Sequence, residues 1–325
     1  MAPFGRNTRY FKEQISREFS IKDIVPADLL LGVKIHQLKE GITLDQQHFV
    51  ESLLDTYGMK NCKAVSTPLI PNKHLSAETE DKKKAFNEMK FNISSAVVSI
   101  NYLSSATGPD LLHAVSSLSQ HLEKPSVQHW KAFLDVLKYF SGTQEIGLYY
   151  KWRTTPSLVA FSDADWGNCQ TTGHSTYGFL AQLHGCLVFW KTRKQPLVSI
   201  STTEAEYKSL CDLTSKLLWS QQWCQEDDIF KCTTAVTVWE DNQSCINTPN
   251  SNCNVNTKRM KHVDIQPHFV KEVIQNKLIE LCYSPTTDIL ADFITKLVPK
   301  ITLEKALQSL GVLRLGLRGM WKNKP

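Results

Sequence analysis

From Leu158 to Tyr283 the apolar runs follow one order: three strands, a helix, a strand, a helix and a strand. That order constrains the fold most. Leu158 to Phe161 is a short apolar run ending in Ser162-Asp163. Tyr177 to Leu183 and Leu187 to Lys191 flank His184-Gly185, which predicts a hairpin. Thr203 to Cys224 and Lys261 to Gln275 read as helices, Ala235 to Trp239 and Leu278 to Tyr283 as strands, and Asp288 to Lys296 as a short helix behind Pro285. Three antiparallel strands followed by alternating helices and strands predict an α/β domain built on a mixed sheet.

Residues before this block read as mixed α and β, and a strand-rich pattern begins near Ile146. Leu29 to Ile35 is a strand-like run, Lys39 to Ile42 a turn, and about Gln46 to Tyr57 a helix stopped by Gly58. The polar stretch Ser76 to Lys84 reads as a loop. Ala96 to Ala106, Leu111 to Leu122 and about Val127 to Phe140 read as helices, the first two parted by Gly108-Pro109, the third ending near Gly142. A last helix is expected from Leu303 to Val312. With 325 residues the chain suits more than one domain, and the expected units are 1–150, 151–300 and a terminal helix and tail over 301–325.

Four acidic residues stand in distinctive frames. They are Asp163 in Phe161-Ser-Asp-Ala-Asp-Trp166, Glu206 in Thr202-Thr-Glu-Ala-Glu-Tyr207, Asp241 in Trp239-Glu-Asp-Asn-Gln-Ser244, and Asp292 in Leu290-Ala-Asp-Phe-Ile-Thr-Lys296. Asp163 and Asp241 each follow an apolar strand, and ligands gather outside the carboxyl ends of such strands. Glu206 falls in helical register with Leu210, Leu213 and Leu217, which places a carboxylate on a buried stripe, costly unless paired or metal-bound. Carboxylates gathered this way suit hard divalent cations, and two such ions can drive phosphodiester hydrolysis. Singly, each acid also suits a plainer role: Asp241 a helix cap, Glu206 a first-turn carboxylate favoured by the helix dipole. Asp165 and Glu204 stand nearby and are expected to turn away, by strand alternation and by the helical stripe.

A formal charge of +5 permits a nucleic-acid partner without demanding one. No apolar run approaches the roughly 20 residues that span a bilayer, so no membrane partner is expected. Nine cysteines without a Cys-x-x-Cys pair argue against a zinc ribbon or a secreted disulfide framework. The expectation is an intracellular protein, cytoplasmic or nuclear.

Ser162-Asp-Ala-Asp-Trp166, Lys194-Gln-Pro196, Ser201-Thr-Thr-Glu-Ala-Glu-Tyr207, Asp241-Asn-Gln-Ser244, Lys261-His-Val-Asp-Ile265, His268-Phe-Val270 and Leu290-Ala-Asp292 occur in a fixed order. In these frames the chain resembles the carboxyl-terminal part of a Ty1/copia-type retrotransposon polyprotein. The resemblance implies an RNase H-like fold with a mixed five-stranded sheet and flanking helices. The first half, in Leu31-Gly-Val-Lys-Ile35, Gly41-Ile-Thr-Leu-Asp-Gln46, Ser66-Thr-Pro-Leu69 and Tyr139-Phe-Ser-Gly-Thr143, resembles the end of the reverse transcriptase, an α+β thumb and connection remnant. The polymerase's Tyr-x-Asp-Asp turn does not occur, which implies a truncated copy. Gly108 stands where the family usually has Arg, and Glu240 where it often has Cys.

The resemblance further implies cleavage of the RNA strand of an RNA–DNA hybrid, with the missing polymerase part of a longer polyprotein as a partner. It assigns two Mg²⁺ ions, with Mn²⁺ as a substitute, one to Asp163, Glu206 and Asp241 and the other to Asp163 and Asp292. Asn242 and Gln243 are candidates for minor-groove contacts, or for capping and packing. Lys191, Arg193, Lys194, Lys258, Arg259 and Lys261 are candidates for phosphate contacts. Trp166 and Trp190 suit base stacking or the core. His262, Asp264 and His268 lack zinc-site spacing. The alternative reading is a catalytically inert relic or nucleic-acid-binding module, and an integrase-type enzyme ranks last.

Overall fold

The computed structural model describes residues 12–21, 27–70, 75, 92–152, 157–169, 171–226, 235–247 and 261–315, with the side chains of 224–226 and 261–267 outside the description. Two five-stranded sheets organise it. The first is antiparallel and built from β1 (Leu29–Leu30), β2 (Val33–Gln37), β3 (Gly41–Asp45), β4 (Ile146–Lys151) and β10 (Val312–Arg314), in that spatial order. The second has the order β7-β6-β5-β8-β9, from β5 (Leu158–Asp165), β6 (Thr176–Leu183), β7 (Cys186–Lys194), β8 (Val236–Glu240) and β9 (Ile279–Tyr283). In it β5, β6 and β7 are antiparallel, while β5, β8 and β9 run parallel. This is the mixed α/β sheet that the order of apolar runs predicts.

Several boundaries differ from expectation for physical reasons. The run Leu29 to Ile35 is two strands, because Leu31 and Gly32 adopt positive φ and reverse the chain. The strand carrying Asp163 does not end there; it continues to Asp165 because β6 pairs with it along its whole length. The expected helix 303–312 is Lys300–Ser309, after which the chain turns at Gly311 and adds β10 to the edge of the first sheet. Residues from 146 to 151 and from 312 to 314 therefore join one sheet across both expected unit boundaries. The expected short helix 288–296 is two pieces, a 3-10 turn over Thr286–Asp288 and a helical turn over Asp292–Thr295. The loop over 76–84 lies outside the described residues.

The first half contributes the helices α1 (Gln47–Thr56), α2 (Ile93–Ala106), α3 (Leu112–Ser119) and α4 (Val127–Thr143) to its core. Their apolar faces close one core around Leu54, Ile100, Leu118, Phe133 and Leu137, all fully buried. Phe133→Ala is expected to cost about 3–5 kcal/mol, read as a lowered melting temperature, because the cavity can collapse only in part. The second sheet is covered on one face by α5 (Thr202–Glu226) and α7 (Lys261–Gln275), with α6 (Gln243–Asn247) between them in sequence. A third core joins β4 and β10 to the second sheet through α8 (Asp292–Thr295) and α9 (Lys300–Ser309), centred on Leu148, Leu180, Leu187, Ile294 and Leu310. Polar ties cross the same seam: the Tyr150 hydroxyl donates to the Leu187 carbonyl (2.9 Å), and the Trp190 indole N–H to that of Ser104 (2.7 Å). The β6–β7 hairpin turns at His184 and Gly185, both with positive φ, which suits the right-handed twist of the paired strands. No helix among the described residues is long and apolar enough to cross a membrane.

Candidate metal centre

Strand pairing brings the first two carboxylates together. β5 and β8 are parallel neighbours with Phe161 opposite Trp239, so Asp163 and Asp241 stand side by side two residues beyond that pair. Helix α5 packs on β5 and β6, anchored where the Ser162 hydroxyl donates to Ser209 Oγ (2.9 Å), itself donating to the Gly178 carbonyl (3.2 Å). Ser209 is three residues beyond Glu206, so this lock fixes the helical turn that carries the glutamate. Asp163, Glu206 and Asp241 each present an oxygen, and these oxygens all lie within 4.8 Å of one another. Asp163 and Glu206 are buried, while Asp241 is partly exposed and accepts the Thr286 hydroxyl at 2.6 Å.

Asp292 joins from the other side. It opens α8, which packs on β5 and β6, and Lys296 bridges it to Asp163: Nζ is 2.9 Å from Asp163 Oδ1 and 3.0 Å from Asp292 Oδ1. The Thr295 hydroxyl donates to Asp163 Oδ2. A further carboxylate, Glu240, is fully buried beside the group, with one oxygen accepting the Asn242 backbone N–H at 3.2 Å. The second oxygens of Glu206 and Glu240 have no hydrogen-bond partner.

The electrostatics express this crowding. Burial first, then the carboxylates of Glu240, Asp163 and Asp241, push Glu206 well above the ordinary carboxylate range. Glu240 is raised well above it too, by burial foremost and by Asp241 and Asp163, against the Asn242 N–H. Asp292 is pushed up to about 7 by burial and by Asp163, with Lys296 opposing. Burial works against the Lys296 ammonium, yet Asp163 and Asp292 outweigh it and hold the lysine well above its usual range. More negative charge converges here than one ammonium balances, the condition under which a buried acidic group takes up protons or a cation. Oxygen-only donors with two orphaned, shielded carboxylate oxygens fit a hard divalent ion.

A family model described as reverse transcriptase (RNA-dependent DNA polymerase) matches residues 6–71. The Pol polyprotein of transposon TNT 1-94 from Nicotiana tabacum is 32% identical over 306 residues, 93% of this chain and 23% of that polyprotein. An uncharacterized mitochondrial protein of Arabidopsis thaliana is 35% identical over 207 residues, covering 64% of this chain and 84% of the relative. The chain belongs to the Ty1/copia-type retrotransposon polyproteins. It spans about a quarter of the length of the tobacco relative. Among solved structures, a foamy viral protease-reverse transcriptase in complex with an RNA/DNA hybrid is similar at 11% identity, over 68% of this chain and 28% of that one, with a TM-score of 0.39. The mixed five-stranded sheet with its flanking helices is the RNase H-like arrangement that the copia-type resemblance implies.

The other residues expected from the copia-type frame fall into different places. Lys191 is ion-paired with Asp212 at 2.5 Å, and Lys194 contacts Gln120 Oε1 (3.0 Å) and Cys169 Sγ (2.9 Å), so both are engaged within the fold. Arg193 and Gln243 are exposed. Asn242 caps α6 by accepting the Cys245 N–H at 3.0 Å, the capping role its position also suits. Lys258 and Arg259 lie outside the described residues, as do the side chains of Lys261, His262 and Asp264. Trp190 belongs to the seam between the sheets, whereas Trp166 is 49% exposed with its indole N–H on the Ser199 carbonyl.

Glu204 is a cap of α5: it accepts the Ile200 N–H at 2.8 Å and pairs with Lys208 at 2.8 Å. Asp165, two residues after Asp163, lies on the same face of the strand, so alternation does not turn it away as expected; it ends β5 and is not among the three clustered carboxylates. Three contributors escaped the sequence reading. Lys296 was signalled by its spacing four residues after Asp292 on a helix. Glu240 shares the alternation of Val236 and Val238, both buried. Nothing in the sequence marked Thr295.

Proposed function

We propose that residues 158–296 form an RNase H-type endonuclease that cleaves the RNA strand of an RNA–DNA hybrid. The observation that carries this reading is the convergence of Asp163, Glu206 and Asp241 oxygens within 4.8 Å, two of the three carboxylates buried and one oxygen of Glu206 without a partner. In this reading Asp163, Glu206 and Asp241 hold one Mg²⁺, and Asp163 with Asp292 a second. When bound, such ions polarise the phosphate, lower the pKa of a water and stabilise the leaving oxygen.

The chain's own residues supply position and selection. The pairing of β5 with β8 sets the spacing of Asp163 and Asp241, and the Ser162–Ser209 contact sets that of Glu206. The Thr286 hydroxyl orients Asp241, as Thr295 orients Asp163. Arg193, exposed on β7 beside the Tyr177 hydroxyl, and Gln243, exposed at the start of α6, would meet phosphates and groove edges. Choice of the RNA strand rests on its 2′-hydroxyls, which DNA lacks. The polymerase part of a longer polyprotein would deliver the hybrid.

The deciding experiment incubates the full chain with a hybrid labelled on the RNA strand, in Mg²⁺ or in EDTA, beside DNA duplex and RNA duplex controls. Cleavage of RNA in the hybrid alone, abolished by EDTA and restored by Mg²⁺ or Mn²⁺, is the expected result. A folded protein that leaves the hybrid intact in both metals overturns the reading in favour of a binding module.

A further inference from the structure

The carboxylate pair on the α8 side already holds a cation, and it belongs to the protein. Lys296 Nζ stands 2.9 Å from Asp163 Oδ1 and 3.0 Å from Asp292 Oδ1. The neighbouring residue, Thr295, donates its hydroxyl to Asp163 Oδ2. Both oxygens of Asp163 are thus held by consecutive residues of one short turn. On the opposite side, among the described residues, no ammonium pairs with Glu206, whose second oxygen is orphaned, or with Asp241, whose Oδ2 takes a neutral threonine hydroxyl. The cluster is therefore asymmetric: open to a cation at Glu206 and Asp241, closed by lysine at Asp292.

A lysine is suited to a replaceable place of this kind. Its charge sits on a flexible four-carbon stem, unlike the planar fork of arginine. The Lys296 side chain is 29% exposed, so a route to water exists. An ammonium and a divalent ion bound to the same two oxygens would repel each other at short range in a partly dry site.

We propose that Lys296 is a built-in counter-ion for the Asp163–Asp292 pair, holding it in the metal-free protein and competing with a divalent cation for the same two oxygens. The inference rests on the metal-dependent reading of the cluster. Ion binding is then sequential. The first ion enters where Glu206 and Asp241 lack a cation, and the second enters only as Lys296 swings out. Lys296 is a positioning residue on this account, setting the affinity of one site without touching the reacting phosphate.

The test titrates Mg²⁺ into the metal-free full chain by calorimetry and counts bound Mn²⁺ by electron paramagnetic resonance, for wild type, Lys296→Met and Lys296→Gln. Melting temperatures are recorded in EDTA and in Mg²⁺. Wild type is expected to bind a first ion and a second one about tenfold more weakly or worse, and both variants to tighten the second by about tenfold or more. Both should melt lower than wild type in EDTA and recover in Mg²⁺. A merely structural lysine would leave metal affinity unchanged or weaken it on removal. Folded variants whose second ion binds no tighter than in wild type overturn the inference, as do variants that stay unfolded even in Mg²⁺. If wild type and variants alike bind no divalent ion, it is the metal-dependent reading itself that fails.

Discussion

Glu206→Gln is expected to lower cleavage of an RNA–DNA hybrid by about a thousandfold or more while raising the melting temperature of the metal-free protein. The loss follows from removing a charged ligand of the ion that would stabilise charge in the transition state, worth several kcal/mol. The gain follows from the same burial. Glu206 is 5% exposed among Glu240, Asp163 and Asp241, with one oxygen unpartnered, so its ionised form is costly in the absence of metal. Glutamine keeps the shape and removes the charge, a change of about 1–2 kcal/mol in favour of the fold. Calorimetric melting in EDTA and a hybrid cleavage assay read the two effects separately. A variant that melts below wild type in EDTA would contradict the charge argument, even if it were inactive.

The same charges set a pH dependence. Glu206, Glu240 and Asp292 have folded pKa values raised above their unfolded ones, Asp292 to about 7. The native state then holds more protons than the unfolded chain above the ordinary carboxylate range, so stability falls as pH rises. For Asp292 that fall spans its unfolded value up to about pH 7 and then levels. Metal-free wild type should accordingly lose stability relative to Glu206→Gln as pH rises above the ordinary carboxylate range, because Glu206 is raised above it, and saturating Mg²⁺ should flatten the difference.

Gly178→Ala is expected to reduce cleavage by about a hundredfold and to cost about 1–3 kcal/mol of stability. Gly178 lies directly opposite Asp163 in the β5–β6 register. A Cβ there would come within 2.9 Å of Ile294 Cδ1 and of Thr295 Cγ2. Both residues are fully buried, so neither can yield without moving α8. That turn carries Asp292, and Thr295 and Lys296 with it reach Asp163, so lifting it separates the fourth carboxylate from the other three. Ile294→Val, which removes one of these two methyls, should restore part of both losses in the double variant. A Gly178→Ala protein with wild-type cleavage would show that the seat of α8 is set elsewhere.

Much of the second half was legible because its signals are local. Short apolar runs define β6 and β7, His184-Gly185 defines their turn, and the Leu210, Leu213 and Leu217 stripe defines the buried face of α5. Glu206 was legible as a buried carboxylate for the same reason: a carboxylate in register with leucines announces its own burial. Signals that depend on partners were not legible. The Leu29 to Ile35 run looks like one strand until Leu31 and Gly32 reverse it, and nothing near Val312 says that it pairs with Leu148 from far upstream.

The sequence by itself determined the elements of the second sheet, their order along the chain and the frames of the four carboxylates, because periodicity and short frames are properties of neighbouring residues. Only the tertiary structure decided that Lys296 and Thr295 hold Asp163, that Glu240 is buried beside Glu206, that Lys191 and Lys194 are engaged within the fold, and that β10 joins the sheet of β1 to β4. Those outcomes turn on contacts between residues far apart in the sequence, as with the Arg314 guanidinium donating to the Gly142 carbonyl 172 positions away. Such contacts are set by how strands register and helices seat, and no local pattern encodes them.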